Sequence, residues 1–236
     1  SVFASAPFAG AALSFTLLIV YYAAHRTAGA PGPALGTFPA LRAALMSVAV
    51  IGVTLMAASF AAYPGGPYEH AGTARPARGL ERVTRHPFFV GMILFAGAHS
   101  LLATRLIGSV LMLALGSLAL VGSRHQDAKL ARLRDRSFAD YLASTSVAPF
   151  AAILRGRQQL VWREIPWGAF VAGLAIAAGL RQAHEDIFAH HGAWVLLVNV
   201  GGALAIMVAA SSPSVSRAIT CAPLSESSPS PASSKA

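Results

Sequence analysis

Long apolar stretches, separated by short polar or Gly/Pro-rich loops, set the pattern of this chain. Stretches without Asp, Glu, Lys or Arg cover 1–25, 43–68, 86–104, 106–123, 165–180 and 187–216. A helix that crosses the hydrocarbon core of a bilayer needs roughly 17–25 mostly apolar residues. Trimming of the loop residues predicts spanning helices near 7–25, 41–63, 87–104, 106–123, 165–182 and 192–210. We therefore expect an all-α fold, a polytopic membrane bundle of about six helices.

The composition agrees with a membrane protein and excludes several other classes. Hydrophobic residues make up 55% of the chain and charged residues 11%, whereas a soluble domain carries about 25% charged residues. This deficit excludes an ordinary soluble enzyme and excludes disorder for most of the chain. The tail 211–236 holds 10 Ser and 4 Pro and is predicted to be disordered, which leaves 1–210 as the transmembrane domain. Cys221 is the one cysteine, so neither an intrachain disulfide nor a CxxCH haem attachment is available.

The distribution of basic residues predicts which side of the membrane each loop faces. The formal net charge is +9, from 18 Lys and Arg against 9 Asp and Glu. With six spans, 14 of those 18 lie on the side that carries 64–86, 124–164 and the C-terminus. Cytoplasmic loops carry such an excess, so both termini are predicted to be cytoplasmic, in a bacterial inner membrane. Membrane orientation explains the charge without a nucleic-acid partner, and 126–142 is predicted to form an amphipathic helix at the cytoplasmic interface.

Histidines are the residues most suited to chemistry in such a bundle. An ionisable group inside a membrane is costly, and it marks a functional-site hypothesis. His99 lies in the outer half of the third predicted span, His25 ends the first span at the outer face, and His184 lies in the outer loop after the fifth. His99 is therefore expected to meet His25 or His184. The alternative is that these imidazoles are neutral and only bond to a neighbouring helix.

Two motifs in the middle of the chain resemble the NnrU family, which includes the plant and cyanobacterial zeta-carotene isomerases. The first reads TRHPFFVG at 84–91 and is followed by AHSLL at 98–102. The second reads TSVAPFAAI at 145–153 and is followed by GRQ at 156–158. The clear match covers about 80–160, and Ala24-His25 in the first span is weakly similar.

The resemblance implies a multi-spanning membrane protein that holds a non-covalent b-type haem. In the isomerase branch, ferrous haem drives cis-to-trans isomerisation of a polyene, and its ligands match His25 and His99 here. Other members are linked by name to nitrite and nitric oxide respiration. That link implies a denitrification-associated role, or a non-catalytic role in the maturation of a respiratory complex. The chain differs from its relatives at one place that bears on the carotene substrate. Relatives carry Asp-Arg-Arg after the fourth span, whereas this chain reads GSRHQD at 122–127.

The histidine pattern is compatible with that haem, although the histidines alone do not specify it. Zinc usually takes four tetrahedral ligands, and thiolates and carboxylates are absent from the predicted spans. Haem needs one or two axial ligands and an apolar slot between helices. His99 lies about 18 Å of helix rise past Pro87, at a depth similar to that of His25. From the resemblance and this depth, His25 and His99 are the predicted axial ligands, with His184 as the competing partner.

Arg85 and His86 carry a second hypothesis, because the RHP motif also resembles that of membrane methyltransferases of the isoprenylcysteine carboxyl type. Their RHPxYxG motif is matched except that Phe89 replaces the tyrosine, and their paired glutamates correspond to Gln126-Asp127. In such an enzyme, Arg85 and His86 would be catalytic and would hold the carboxylate of S-adenosylmethionine at the cytoplasmic face.

We expect Arg85 and His86 to pack against the segment 145–158, since both motifs flank the same cytoplasmic loops. The alternative is that His86 only caps its helix while Arg85 anchors to a lipid phosphate. The expected partners of the protein are the lipid bilayer and either a hydrophobic polyene or a respiratory complex.

Overall fold

In a computed structural model, which describes residues 2–62, 76–133 and 136–189, the chain is folded into α-helices. These are α1 (Val2–His25), α2 (Pro39–Ala62), α3 (Leu80–Val83), α4 (Pro87–Leu102), α5 (Leu106–Leu133), α6 (Arg136–Ser144), α7 (Ala151–Leu154) and α8 (Trp167–Ala189), with 3-10 turns at Leu35–Thr37 and Trp162–Glu164. The described ranges contain no β-strand, so the predicted all-α class is confirmed. The predicted sixth span, 192–210, and the tail 211–236 lie outside these ranges.

Two of the described helices are long and apolar enough to cross a bilayer. They are Pro39–Phe60 within α2 and Leu106–Lys129 within α5, each with a mean hydropathy of 2.1. At 28 residues, α5 is about 42 Å long, so it exceeds a hydrocarbon core of about 30 Å. The predicted fourth span therefore continues as one helix, and the prediction of a separate amphipathic helix starting at 126 is wrong. The second part of the predicted amphipathic helix 126–142 belongs to α6.

Close contacts between small residues hold the long helices together. The helix α4 packs against both α2 and α5, and α8 packs against α2. A Cβ atom on Gly52 of α2 would lie 2.6 Å from the carbonyl oxygen of Gly91 of α4, and a Cβ on Gly173 of α8 would lie 2.9 Å from the Cα of Thr54. Such small-residue crossings are typical of helices that associate within a membrane.

Large apolar side chains lie on the outside of this bundle and small or polar ones lie within it. Phe60, Leu118 and Val171 are 72%, 67% and 69% exposed. The largest fully buried side chains, by contrast, include Glu81, Thr84 and Thr145. An exposed apolar surface this extensive is rare on soluble monomers, and it fits helices whose outer faces contact lipid.

The Gly/Pro-rich segment after α1 ties one end of the bundle together. As the composition predicts, α1 ends at His25 and the following residues are not α-helical. The backbone N–H of Gly32 donates to the Thr104 carbonyl at 2.9 Å, and that of Leu106 donates to the Ala30 carbonyl at 2.9 Å. A Cβ on Gly32 would lie 2.4 Å from the Ala103 carbonyl oxygen, so this approach requires glycine. The C-terminal ends of α1 and α4 therefore lie at the same end of the bundle.

Candidate functional site

The end of the bundle that carries His25, His99 and His184, called here the histidine end, brings two imidazole rings together. The ring centroids of His99 and His184 are 6.4 Å apart, with an angle of 32° between the ring planes. His99 lies in the last turn of α4, and His184 lies 17 residues, or about 25 Å, after the start of α8. The structure thus joins His99 to one of the two partners that its sequence position predicts.

The ring of His99 is oriented by its own helix. Its Nδ1 lies 3.1 Å from the Phe95 carbonyl oxygen, and since a carbonyl only accepts, Nδ1 carries the proton. The Phe95 ring also packs on the imidazole, with centroids 4.2 Å apart. A histidine that binds a metal typically donates its second ring N–H to a carbonyl or carboxylate in this way. His99 therefore presents Nε2 as the nitrogen that can bind a metal.

His25 has the same local arrangement one helix away. Its Nδ1 lies 2.9 Å from the Tyr21 carbonyl oxygen, and its ring stacks on the Tyr21 ring with centroids 4.2 Å apart. The side chain is exposed. His25 therefore also presents Nε2 for metal binding, and its ring packs on Tyr21 of its own helix.

The donor set at this end suits a haem better than a zinc ion. Within 2–62, 76–133 and 136–189, no group of three or more His, Cys, Asp or Glu side chains is placed to hold a metal. Zinc prefers four such ligands, whereas haem iron needs one or two axial ones. These histidines are compatible with a haem, and haem ligation by His25, His99 or His184 stays a prediction.

The opposite end, called here the basic end, is built around one carboxylate. Asp127 accepts a hydrogen bond from His86 Nε2 at 2.8 Å on one oxygen. Its other oxygen accepts from Arg85 Nε at 3.0 Å and forms an ion pair with Nη2 at 2.9 Å. These three residues, the Asp127 cluster, join the start of α4 to the last turns of α5.

Helix geometry brings the three members of the Asp127 cluster together. His86 is the N-cap of α4, and Pro87 occupies the first turn, where its missing N–H is not needed. Asp127 extends a buried face of α5 on which Ala119 and Ser123 precede it at intervals of four residues. Because α5 is longer than a membrane span, this face reaches the start of α4.

The segment after α6 packs against the cluster, as its motif predicts. The Arg85 backbone N–H donates to the Ser146 carbonyl at 2.9 Å, and the Thr84 hydroxyl donates to the Val147 carbonyl at 2.7 Å. The Arg85 guanidinium also reaches the Thr145 carbonyl at 3.4 Å. The predicted packing of the two motifs is confirmed by these bonds.

Asp127 is the residue that the sequence pattern alone did not identify. In the methyltransferase comparison, Gln126-Asp127 is a poor match to paired glutamates, and it also departs from the NnrU pattern. The available signal was the spacing of Ala119, Ser123 and Asp127 on one helix face. Arg85 and His86 do bind a carboxylate, but it is that of Asp127, and their catalytic roles stay a prediction.

A second ion pair fixes the start of α8, and hence the helix that carries His184. The Arg82 guanidinium donates to Glu164 from Nε at 2.9 Å and from Nη2 at 3.2 Å, and the Gly79 N–H donates to the same carboxylate at 2.9 Å. These hydrogen bonds hold the pKa of Glu164 below its usual value, and the largest contribution comes from Arg82.

Comparisons with known proteins identify relatives of most of the chain. A family model described as "NnrU protein" matches residues 5–209. The chain is 31% identical over 188 residues to a chloroplastic 15-cis-zeta-carotene isomerase of Arabidopsis thaliana, covering 75% of this chain and 50% of that protein. It is 37% identical over 82 residues to the isomerase of the same name from Zea mays, covering 35% of this chain and 22% of that protein. The chain therefore spans half or less of these curated relatives, and no solved structure matches it.

Proposed function

The chain belongs to the NnrU family, and from that premise we propose that it is an integral membrane protein that binds b-type haem and isomerises a cis double bond of a polyene. The observation that carries this proposal is the meeting of His99 and His184, two imidazoles from different helices of an apolar bundle. Ligand sites in helix bundles are built in this way from side chains on facing helices. The names of the curated relatives support the polyene as the substrate class.

The apolar exterior supports a location within the bilayer. Two helices meet the length and hydropathy of membrane spans, and exposed apolar side chains cover α1, α2, α5 and α8. The excess of Lys and Arg at the basic end supports its placement in the cytoplasm. The histidine end then faces the opposite side of a bacterial inner membrane.

His99 would hold the haem, and either His25 or His184 would supply a second imidazole. The Phe95 carbonyl keeps the proton on Nδ1 of His99, so its Nε2 lone pair is directed away from its own helix backbone. When bound, ferrous haem supplies an iron centre that lowers the barrier to rotation about a conjugated double bond; the protein supplies binding, orientation and exclusion of water.

An apolar groove between α2 and α8 supports a hydrophobic substrate that arrives from the lipid. It has a volume of about 350 Å³ and is lined by Val53, Met56, Ala57, Phe60, Ala169, Ala172 and Ile176. Ile176 lies eight residues before His184, or about 12 Å along α8. A long hydrocarbon in this groove would lie along the helix that carries His184, in surroundings that exclude water.

The test is to purify the protein in detergent and record absorption spectra in the ferric and ferrous forms. The same protein in liposomes is then incubated with 15-cis-zeta-carotene, and the isomers are separated by chromatography. We expect a Soret band and isomerisation that requires the reduced form. His99→Ala should lose both, whereas His125→Ala, which changes an exposed histidine at the basic end, should keep both.

Each part of the proposal has its own contrary result. Isomerisation by haem-free protein would show that the cofactor is wrong. Bound haem without isomerisation would show that the substrate is wrong and would favour a denitrification-associated or assembly role. Tight binding of S-adenosylmethionine that is lost in Arg85→Ala would favour the methyltransferase instead.

A further inference from the structure

We propose that the segment 150–167, called here the basic-end segment, lies at the surface of the cytoplasmic leaflet and binds anionic phospholipids there. This inference rests on the proposed location in the membrane and does not depend on the haem. It gives a role to the second sequence motif, whose residues from 150 to 158 take no part in the haem proposal. The contacts, the exposed side chains and the charge of the basic-end segment carry it.

Polar contacts fix one side of the basic-end segment to the short helix α3. The Phe150 backbone N–H donates to the Val83 carbonyl at 2.9 Å. The Arg82 guanidinium donates from Nη1 to Gln158 Oε1 at 3.1 Å and from Nε to the Glu164 carboxylate at 2.9 Å. These bonds hold the beginning, the middle and the end of the segment on α3, and they fix the positions from which its exposed side chains project.

The exposed side chains of the basic-end segment include large apolar ones. Leu154, Trp162 and Trp167 are 85%, 61% and 53% exposed. The two indole rings stack with their centroids 6.0 Å apart and an angle of 3° between their planes, and Trp167 Nε1 donates to the Trp162 carbonyl at 3.1 Å. Since tryptophan is enriched where a membrane meets water, this fixed pair indicates contact with the headgroup region.

The position of the two tryptophans relative to α8 agrees with that depth. Trp167 is the first residue of α8, and Ala169, two residues later, is the first residue of α8 that lines the apolar groove. At the end of α2, Phe60 also lines this groove and is exposed. The apolar surface of both helices therefore starts beside the two tryptophans, at the level where an aromatic belt is expected.

The charge of the basic-end segment favours anionic over zwitterionic lipids. The segment contains three basic residues and one acidic residue, which are Arg155, Arg157, Arg163 and Glu164. Glu164 is paired with Arg82 at 2.9 Å, so it is not available to neutralise the arginines. Arg155 and Arg163 are exposed, and neither forms an ion pair with another residue that the structure describes. A guanidinium binds a phosphate group well, and each one near the membrane surface strengthens binding to an anionic leaflet.

The experiment uses the two tryptophans as reporters of the lipids beside them. Trp194, which lies outside the described ranges, is replaced by Phe in the full-length chain, so that Trp162 and Trp167 are the tryptophans that remain. The protein is placed in liposomes of equal parts phosphatidylcholine and phosphatidylglycerol, with bromine, which quenches tryptophan fluorescence, on one lipid or the other. Bromine near the glycerol end of the acyl chains should quench more strongly than bromine near the chain ends. Brominated phosphatidylglycerol should quench more strongly than brominated phosphatidylcholine.

Two arginines are then changed to test the role of charge. Arg155→Gln/Arg163→Gln should lower the affinity for phosphatidylglycerol relative to phosphatidylcholine by up to about five-fold per arginine. Salt at about 1 M, where the Debye length is about 3 Å, should also weaken the preference. Arg155→Lys/Arg163→Lys should keep it, and so should the control Arg181→Gln, which removes an exposed arginine near the other end of α8. Arg157 is left unchanged because it donates to the Ala143 carbonyl.

Equal quenching by the two brominated lipids would overturn the inference, and so would a preference that survives in Arg155→Gln/Arg163→Gln. Absence of quenching by either lipid would show that the tryptophans do not contact the bilayer, which would also overturn it and would favour a protein partner on this surface. The Soret band is recorded on the same samples, so that the two proposals are judged separately. Lipid preference without haem would overturn the haem proposal alone, and haem without lipid preference would overturn this inference alone.

Discussion

Removal of the Asp127 carboxylate is expected to be the most destabilising change at the basic end. Asp127→Ala would leave Arg85 and His86 without the oxygens that they contact at 2.8–3.0 Å. The Arg85, His86 and Asp127 side chains are 15%, 8% and 18% exposed, so water replaces only part of the lost interaction. Breaking a buried ion pair by removal of one partner costs about 3–5 kcal/mol. Allowing for the partial exposure, we expect a loss of about 2–4 kcal/mol in unfolding free energy.

The assay is thermal unfolding in detergent, followed by circular dichroism. For a chain of this size the expected loss lowers the midpoint by roughly 5–15 °C. The matched control is Asp140→Ala, which removes an exposed aspartate from α6 and should change stability by no more than about 0.5 kcal/mol. Asp127→Asn keeps an acceptor for Arg85 but loses the charge, so its midpoint should fall between those of wild type and Asp127→Ala.

A double-mutant cycle identifies the interaction that is responsible. If Arg85 and Asp127 act together, the loss in Arg85→Ala/Asp127→Ala should be smaller than the sum of the two single losses by about 0.5–3 kcal/mol. The reasoning is refuted if Asp127→Ala melts within the range of the Asp140→Ala control. It is also refuted if the losses from Arg85→Ala and Asp127→Ala are additive, since the cluster would then not be a unit.

Three further predictions concern packing, pH and orientation. Gly52→Ala should destabilise the bundle by about 1–3 kcal/mol, because the new Cβ would lie 2.6 Å from the Gly91 carbonyl oxygen. Gly97→Ala is the control and should not destabilise it, since a Cβ there meets nothing within 4 Å. Equal unfolding midpoints for the two variants would contradict the observed helix crossing. Hydrogen bonds from Arg82 lower the pKa of Glu164. The ion pair therefore stabilises the fold fully at any pH above the ordinary pKa of glutamate, and this stabilisation is lost as the pH falls through the lowered pKa of Glu164. The midpoints of wild type and Glu164→Gln should therefore differ at neutral pH and converge in acid, and a constant difference would exclude this pair as the cause. In a Cys221→Ser background, Thr104→Cys should react with an impermeant maleimide in intact cells and Ala139→Cys only after permeabilisation; the reverse would invert the proposed topology.

Local chemistry was sufficient to predict where several helices begin and end. Pro87 and the N-cap His86 were expected at the start of α4, and the glycines and prolines after His25 were expected to end α1. Each of these signals acts within one turn of the chain, through a fixed backbone angle or a missing N–H. The family resemblance likewise rests on contiguous motifs at 84–91 and 145–153, so it required no knowledge of the fold.

The end of α5 was not predictable from hydrophobicity. The length of an apolar run indicates how much of a helix lies in the bilayer, but it does not indicate where the helix ends. The helix passes through Arg124 and continues to Leu133. Charged side chains are poor inside a bilayer but are ordinary helix residues once outside it. The same extension places Asp127 at the start of α4, so the error about the helix also hid the carboxylate that Arg85 and His86 bind.

Which side chains meet was decided by the tertiary structure. Asp127 contacts His86 across 41 residues, and Arg82 contacts Glu164 across 82. From the sequence, His25 was the predicted partner of His99 and His184 the competing one. Helical periodicity orients a side chain only around its own axis, so it could not test which of the two meets His99. The order in which helices pack depends on contacts such as Gly52 with Gly91 and Gly173 with Thr54, where the absence of side-chain atoms lets two backbones approach. Those crossings place α8 beside α2, and that placement brings His184 to His99.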